Sequence, residues 1–151
     1  MAQYEGKTVK LLVCGSRPPC KCRSGFYCTV CYDLRQRVRE KLAQETDAVD
    51  ILAGGARGPD AWAAEWGRER MKQVSVNFSV TEYPALWLQT ESSGSKRYNP
   101  AAGLERNERM LNDGKPDKVL AFWDGRSRGT KHMIEIARKA GVPVEIVVMP
   151  R

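Results

Sequence analysis

Three short apolar runs in this chain end in the same way, and that repetition constrains the fold more than any other feature. Lys7–Cys14 stops at Gly15-Ser16-Arg17-Pro18-Pro19, and Ala48–Ala53 at Gly54-Gly55-Ala56-Arg57-Gly58-Pro59-Asp60. Lys118–Trp123 stops at Asp124-Gly125-Arg126-Ser127-Arg128-Gly129-Thr130. Short apolar runs cut off by glycine and proline read as buried strands. Helical segments follow them. Tyr32–Glu45 spaces Leu34, Val38 and Leu42 four apart, and Ala61–Met71 follows Asp60 as an N-cap. Pro100–Asn112 has Asn99 as its cap and proline at the first position, and Lys131–Ala140 closes at Gly141. Val76–Tyr83 and Val144–Val148 supply two more strands, whereas Ala85–Asn99, with Ser92-Ser93-Gly94-Ser95, reads as a surface loop.

Strands alternating with helices predict an α/β chain with a mostly parallel five-stranded sheet and right-handed crossovers. The expected architecture is a single Rossmann-like three-layer domain over residues 1–151. A length of 151 residues suits one domain. The net charge of +7 favours anionic partners: nucleotides, nucleic acid or an acidic protein. No apolar run is long enough to span a membrane, and Met1–Lys7 lacks the features of a signal peptide. The expectation is a cytoplasmic protein whose thiols are reduced.

In an open parallel sheet, ligands bind beyond the carboxyl ends of the strands, where the strand order reverses. The candidate ligand-binding residues therefore lie in the three turns. They are Gly15, Ser16 and Arg17; Gly54, Gly55, Arg57 and Asp60; and Asp124, Gly125, Ser127, Arg128, Gly129 and Thr130. Glycine lets backbone N–H groups approach an anion, a helix N-terminus attracts it, and arginine grips phosphate with two hydrogen bonds. Asp60 has two readings: a contact to a ribose hydroxyl or an amine, and a helix cap. Asp124 is either a ligand contact or a turn former. Trp62 and Trp66, four apart on one helix, read as core or dimer packing. Trp123 and Tyr98 suit stacking on a base, and Trp87 suits a lid.

Residues 17–32 form a cysteine-rich insertion after the first strand. Cys20-Lys21-Cys22 and Cys28-Thr29-Val30-Cys31 bracket a short loop containing Gly25. Paired cysteines around a tight turn fit a structural zinc site of Cys20, Cys22, Cys28 and Cys31. An iron–sulfur cluster and two disulfides are the alternatives. Cys14, ending an apolar strand, reads as a core residue. The insertion follows Gly15-Ser16-Arg17 and is placed to form one wall of the ligand crevice. Lys21, Arg23, Arg35, Arg37 and Arg39 make this region basic, which reads as a solvated helix face before a nucleic-acid contact.

The chain resembles the SLOG superfamily, which includes the LOG-type nucleotide phosphoribohydrolases, the DNA-processing protein DprA and the YspA-like proteins. The resemblance is strongest to the YspA-like branch. It rests on Val13-Cys14-Gly15-Ser16-Arg17, Ala53 to Trp66, Arg106-Asn107-Glu108-Arg109-Met110, Val119 to Trp123, Arg128-Gly129-Thr130 and Ala137 to Val144. It implies a Rossmann-like sheet, a nucleotide-derived ligand with its phosphate against Arg126–Thr130, a role for Arg106 in holding that ligand, and homodimers or higher homo-oligomers. LOG enzymes carry a glutamate pair just after the Gly-Thr. Here Lys131, His132 and Met133 follow, and the first acid is Glu135. Hydrolysis at an anomeric centre needs a placed acid, with Arg106, Glu135 and Asp60 as the candidates for catalysis. The expected function is a sensor or scavenger that binds an NAD-derived or cyclic nucleotide. The alternatives are an N-glycosidic hydrolase of LOG type and a DprA-like binder of single-stranded DNA, the reading less favoured for want of a long aromatic groove sequence.

Overall fold

The structure, a computed structural model, describes residues 9–20, 28–45, 49–73 and 79–149. Parts of three expected features, Lys7–Thr8, Ala48 and Val76–Asn77-Phe78, lie outside these residues, as do Lys21, Cys22, Arg23 and Gly25 of the insertion. The order of elements is β1 (Val9–Gly15), α1 (Thr29–Ala43), β2 (Val49–Ala53), α2 (Pro59–Gln73), β3 (Ser79–Glu82), β4 (Leu88–Thr90), β5 (Lys96–Tyr98), α3 (Ala102–Gly114), β6 (Lys118–Trp123), α4 (Arg128–Lys139) and β7 (Val144–Val148).

β1, β2, β3, β6 and β7 form one sheet in the order β3-β2-β1-β6-β7, with every pairing parallel. The α/β expectation holds. Its physical basis is visible in β1, where Leu11, Leu12 and Val13 are all completely buried. Side chains alternate across a strand, so both faces of the sheet must be covered. Leu11 and Val13 join Leu34, Val38, Leu42, Trp62 and Trp66 in one core. Leu12 and Cys14 join Met110, Leu111, Met133 and Ile134 in the other. Helices α1 and α2 thus cover one face and α3 and α4 the other. The tryptophan pair of α2 is core, as is Cys14. Burying one such large aliphatic side chain stabilises the fold by about 1.5–3 kcal/mol.

Helix ends follow local chemistry. α4 ends in a Schellman motif: Gly141, at φ +79°, donates to the Arg138 carbonyl and Val142 to that of Ala137. α1 begins earlier than its apolar spacing suggests, because Cys28 takes an extended N-cap conformation and Cys31 is buried in the first turn. Arg35 pairs with Glu65 and Arg39 with Glu69, tying α1 to α2.

Two expectations need correction. Residues 85–99 are not a plain loop, since β4 and β5 pair antiparallel as a hairpin. Its turn is closed by the Gly94 N–H donating to the Glu91 carbonyl, with Gly94 at φ +84°. All six strand residues are exposed, so no apolar alternation marks them. Trp87 stacks on Tyr98, with centroids 6.0 Å apart and planes at 10°, at the open end of the hairpin, where the Asn99 N–H donates to the Trp87 carbonyl. Second, α3 starts at Ala102 rather than Pro100. The Asn99 side chain still serves the turn before it, accepting from the Ala101 N–H at 3.0 Å.

Candidate functional site

The strand order reverses between β1 and β6, and a cleft of about 440 Å³ opens beyond their carboxyl ends. From the β1 end come Cys14, Gly15 and Arg17; from the β2–α2 connection, Ala56 and Asp60. The β6–α4 turn contributes Asp124, Ser127, Gly129 and Thr130. α3 brings Arg106 and Asn107, and Trp87 of the hairpin closes one side.

Close approach of backbone explains two of the glycines. A Cβ on Gly15 would stand 2.5 Å from the ring of Pro59 and 2.9 Å from the Phe122 carbonyl oxygen. One on Gly54 would meet the Arg106 guanidinium and the Asp60 carboxylate. Glycine at these positions lets β1, β2 and α2 converge on a single point.

Asp60 is not the helix N-cap. Pro59 opens α2 and Asp60 sits in its first turn, buried. Its carboxylate is pushed up to about 6 by burial, against the pull of Arg106 and of backbone N–H bonds from Ala56, Gly54 and Gly15. One acid therefore ties together the ends of β1 and β2. Arg106 donates to the Gly54 carbonyl at 2.5 Å and to the Asn107 side-chain oxygen at 3.2 Å. Burial lowers its pKa while Asp60 raises it, and guanidinium remains a cation. Burial also pushes up the Cys14 thiol, with Asp60 adding to the effect, so this cysteine stays protonated.

Asp124 is a turn former. Its carboxylate accepts from the backbone N–H groups of Arg126 and Ser127, both at 2.8 Å. Burial raises its pKa, but the Ser127 and Arg126 N–H bonds prevail and lower it overall. Buried Ser16 accepts from the Asp124 N–H and donates its own N–H to the Phe122 carbonyl, joining the two turns from beneath. Thr130 is buried and accepts from the Ser127 hydroxyl at 3.3 Å.

The structure thus brings Gly15, Arg17, Asp60, Arg106, Asp124, Ser127, Gly129 and Thr130 into one cleft. Gly54, Gly55 and Arg57 line an adjoining hollow. Ser16, Gly125 and Arg128 line neither, and Arg128 is exposed. Glu135 is also outside the cleft, exposed and 3.8 Å from Lys131. Trp123 donates its indole N–H to the Ser127 carbonyl and Tyr98 lies on Trp87, and neither residue lines the cleft. Asn107 escaped the sequence reading. It is buried, donates to the Gly129 carbonyl at 3.0 Å and lies 3.2 Å from His132 Nδ1. Its place beside Arg106 in the Arg-Asn-Glu-Arg motif is the signal that could have marked it.

Beside the cleft, the sulfurs of Cys20, Cys28 and Cys31 lie within 4.8 Å of one another, a cluster able to hold a metal ion. Arg57 donates to the carbonyls of Pro18 and Cys20, linking this cluster to the β2 turn.

No protein-family model matches the chain. Over 105 residues it is 40% identical to the Gene 61 protein of Mycobacterium phage D29, spanning 70% of this chain and 76% of the phage protein. The chain belongs to the Gene 61 family. Among solved structures, this Gene 61 family member is similar to DNA processing protein A (DprA) from Streptococcus pneumoniae, with a TM-score of 0.63, 16% identity, and coverage of 92% of this chain. It is similar also to DNA processing protein A from Helicobacter pylori, studied for its single-stranded DNA binding mode, with a TM-score of 0.55, 17% identity and coverage of 91%. The chain spans 50% of the first of these proteins and 64% of the second. The Gene 61 family member therefore shares its fold with these DNA processing proteins. Among its described residues, no helix is long and apolar enough to cross a membrane.

Proposed function

We propose that this protein binds a nucleotide-derived ligand, in the manner of a sensor or scavenger, in the cleft between β1 and β6. The observation that carries this reading is the convergence of Arg17, Arg106 and the N-terminus of α4, with Ser127, Gly129 and Thr130, at the reversal of strand order. Cations and a helix N-terminus at such a point favour a phosphate. Binding is favoured over glycosidic hydrolysis because Asp60 and Asp124, the acids lining the cleft, both accept backbone N–H bonds, while Glu135 is solvent-exposed. Placement in the YspA-like branch is part of this proposal and rests on the sequence resemblance alone; the LOG-type glutamate pair does not follow Thr130.

The test is mass spectrometry of small molecules released by denaturing protein that has been incubated with a nucleotide pool. An intact nucleotide retained in stoichiometric amount is the expected result. Free base with ribose phosphate would replace binding by hydrolysis, and an empty extract would remove the nucleotide reading. Single-stranded DNA is the second reading, favoured by the fold likeness to DprA and the net charge of +7. A labelled oligonucleotide whose affinity falls steeply with salt would support it.

We further propose that the cysteine cluster holds structural zinc, with Cys22 as the fourth thiolate. Thiolates stand about 2.3 Å from zinc, and four of them complete a tetrahedral site. Cys28 stands at the N-cap of α1 and Cys31 is buried in its first turn, so the start of this helix would hold two of the ligands in place. Zinc would pin the β1–α1 connection against the cleft. Homo-oligomer formation, implied by the family resemblance, is tested by light scattering.

A further inference from the structure

Beside the main cleft lies a second hollow of about 460 Å³. The two share Arg17, Ala56, Trp87 and Arg106 as a common boundary. Each is large enough for a small-molecule ligand, for which sites run from about 300 to 1,000 Å³.

Their charges differ. In the main cleft, Arg17 and Arg106 face Asp60 and Asp124. In the second hollow, Arg17, Arg57 and Arg106 line the walls and, among the described residues, no acidic side chain does. Three guanidinium groups around one small space favour a bound anion, since arginine pairs with phosphate oxygens. Arg57 is held in place by the carbonyls of Pro18 and Cys20. Gly55 forms part of the floor at φ +76°, and nothing lies within 4 Å of where its Cβ would stand. Trp87 lines both spaces, and an aromatic face stacks on any base.

We propose that the ligand carries two phosphate-bearing nucleotide units, one in each hollow, with the group that links them held at the Arg17–Arg106 boundary. This inference rests on the nucleotide reading of the main cleft. The shared chemistry belongs equally to a free dinucleotide and to two consecutive residues of a single strand.

Titration calorimetry with adenosine monophosphate, 5′-phosphorylated diadenylate and a dodecameric oligoadenylate tests it. The diadenylate should bind about tenfold or more tightly than the monophosphate, the gain expected for one further charge-assisted phosphate contact. Gly55→Asp, which places a carboxylate in the second hollow, should bring that ratio close to one. Gly55→Asn, equally able to adopt a positive φ but uncharged, should preserve most of it, and circular dichroism of both variants checks the fold. A dodecamer no tighter than the diadenylate identifies a free dinucleotide, and one much tighter identifies a strand; either supports the two-unit site. Equal affinity for monophosphate and diadenylate overturns the inference and leaves the nucleotide reading standing. Failure of all three probes overturns both. A ratio unchanged in Gly55→Asp places the second unit elsewhere and also overturns it.

Discussion

Asp60 and Arg106 close over Gly54 together: a methyl group on that glycine would stand 2.5 Å from Arg106 Nη1 and 2.8 Å from Asp60 Oδ2. The pair joins β2 to α3 and sets one wall of the cleft. Gly54→Ala should displace the guanidinium and cost about 1–3 kcal/mol of stability by overpacking. Urea unfolding measures the cost, and an unchanged midpoint would mean that the two side chains yield freely.

Asp60 makes stability depend on pH. Its folded pKa, about 6, lies above the ordinary 3.8, so the folded protein holds this proton where the unfolded chain has released it. The contribution is fully favourable below the unfolded value and is lost as pH rises through the folded one. Between about pH 4 and pH 6 the loss amounts to about 3 kcal/mol. Asp124, Glu69 and Glu145, whose pKa values are lowered, act in the opposite sense. The informative quantity is therefore the difference between wild type and Asp60→Asn across that window. A difference that does not vary with pH contradicts a raised pKa.

Arg17→Ala and Arg106→Ala should each weaken nucleotide binding by about tenfold or more, the worth of a charge-assisted contact. Exposed Arg128, although it follows Ser127 directly, should matter by less than about threefold. Calorimetric titration of the three variants separates them, and a large loss in Arg128→Ala would relocate the phosphate to the outer face of the α4 start.

The α1–α2 ion pairs are half-buried, and Arg35–Glu65 is the more enclosed. A double-mutant cycle on Arg35 and Glu65 should give a coupling of about 0.5–1 kcal/mol, screened by salt. A coupling near zero would show that this pair adds nothing to the hold that the packing of Leu34, Val38 and Leu42 gives α1.

Elemental analysis should find about one zinc per chain. Cys28→Ser should lower metal content and melting temperature together, and a chelator should reproduce the shift in the wild type. Full metal retention in the variant would exclude Cys28 as a ligand.

Much of the sheet was legible in the chain. β1, β2 and β6 are short apolar runs between glycine turns, and β7 follows a helix with a glycine stop. These signals are local: hydrophobic period, cap chemistry and the conformational freedom of glycine act within a few residues. The same locality made Leu34, Val38 and Leu42 readable as one buried face. The hairpin was not legible, because all six of its strand residues are exposed and so carry no apolar alternation, and its Trp87–Tyr98 stack joins residues eleven apart in the chain. The role of Asn107 was hidden for a related reason, since Gly129 and His132 lie on another helix.

The candidate site divides in the same way. By itself the sequence determined that three glycine-and-arginine turns stand at strand ends, and that four cysteines crowd one insertion. Only the tertiary structure decided which of those residues meet. It gathered Arg17, Asp60, Arg106 and Thr130 into one cleft, placed Arg57 and Gly55 in the hollow beside it, and left Arg128 and Glu135 in solvent. The reason is physical. Strand order and helix rotation follow from how the two cores pack on opposite faces of the sheet, and those long-range contacts have no counterpart in the spacing of residues along the chain.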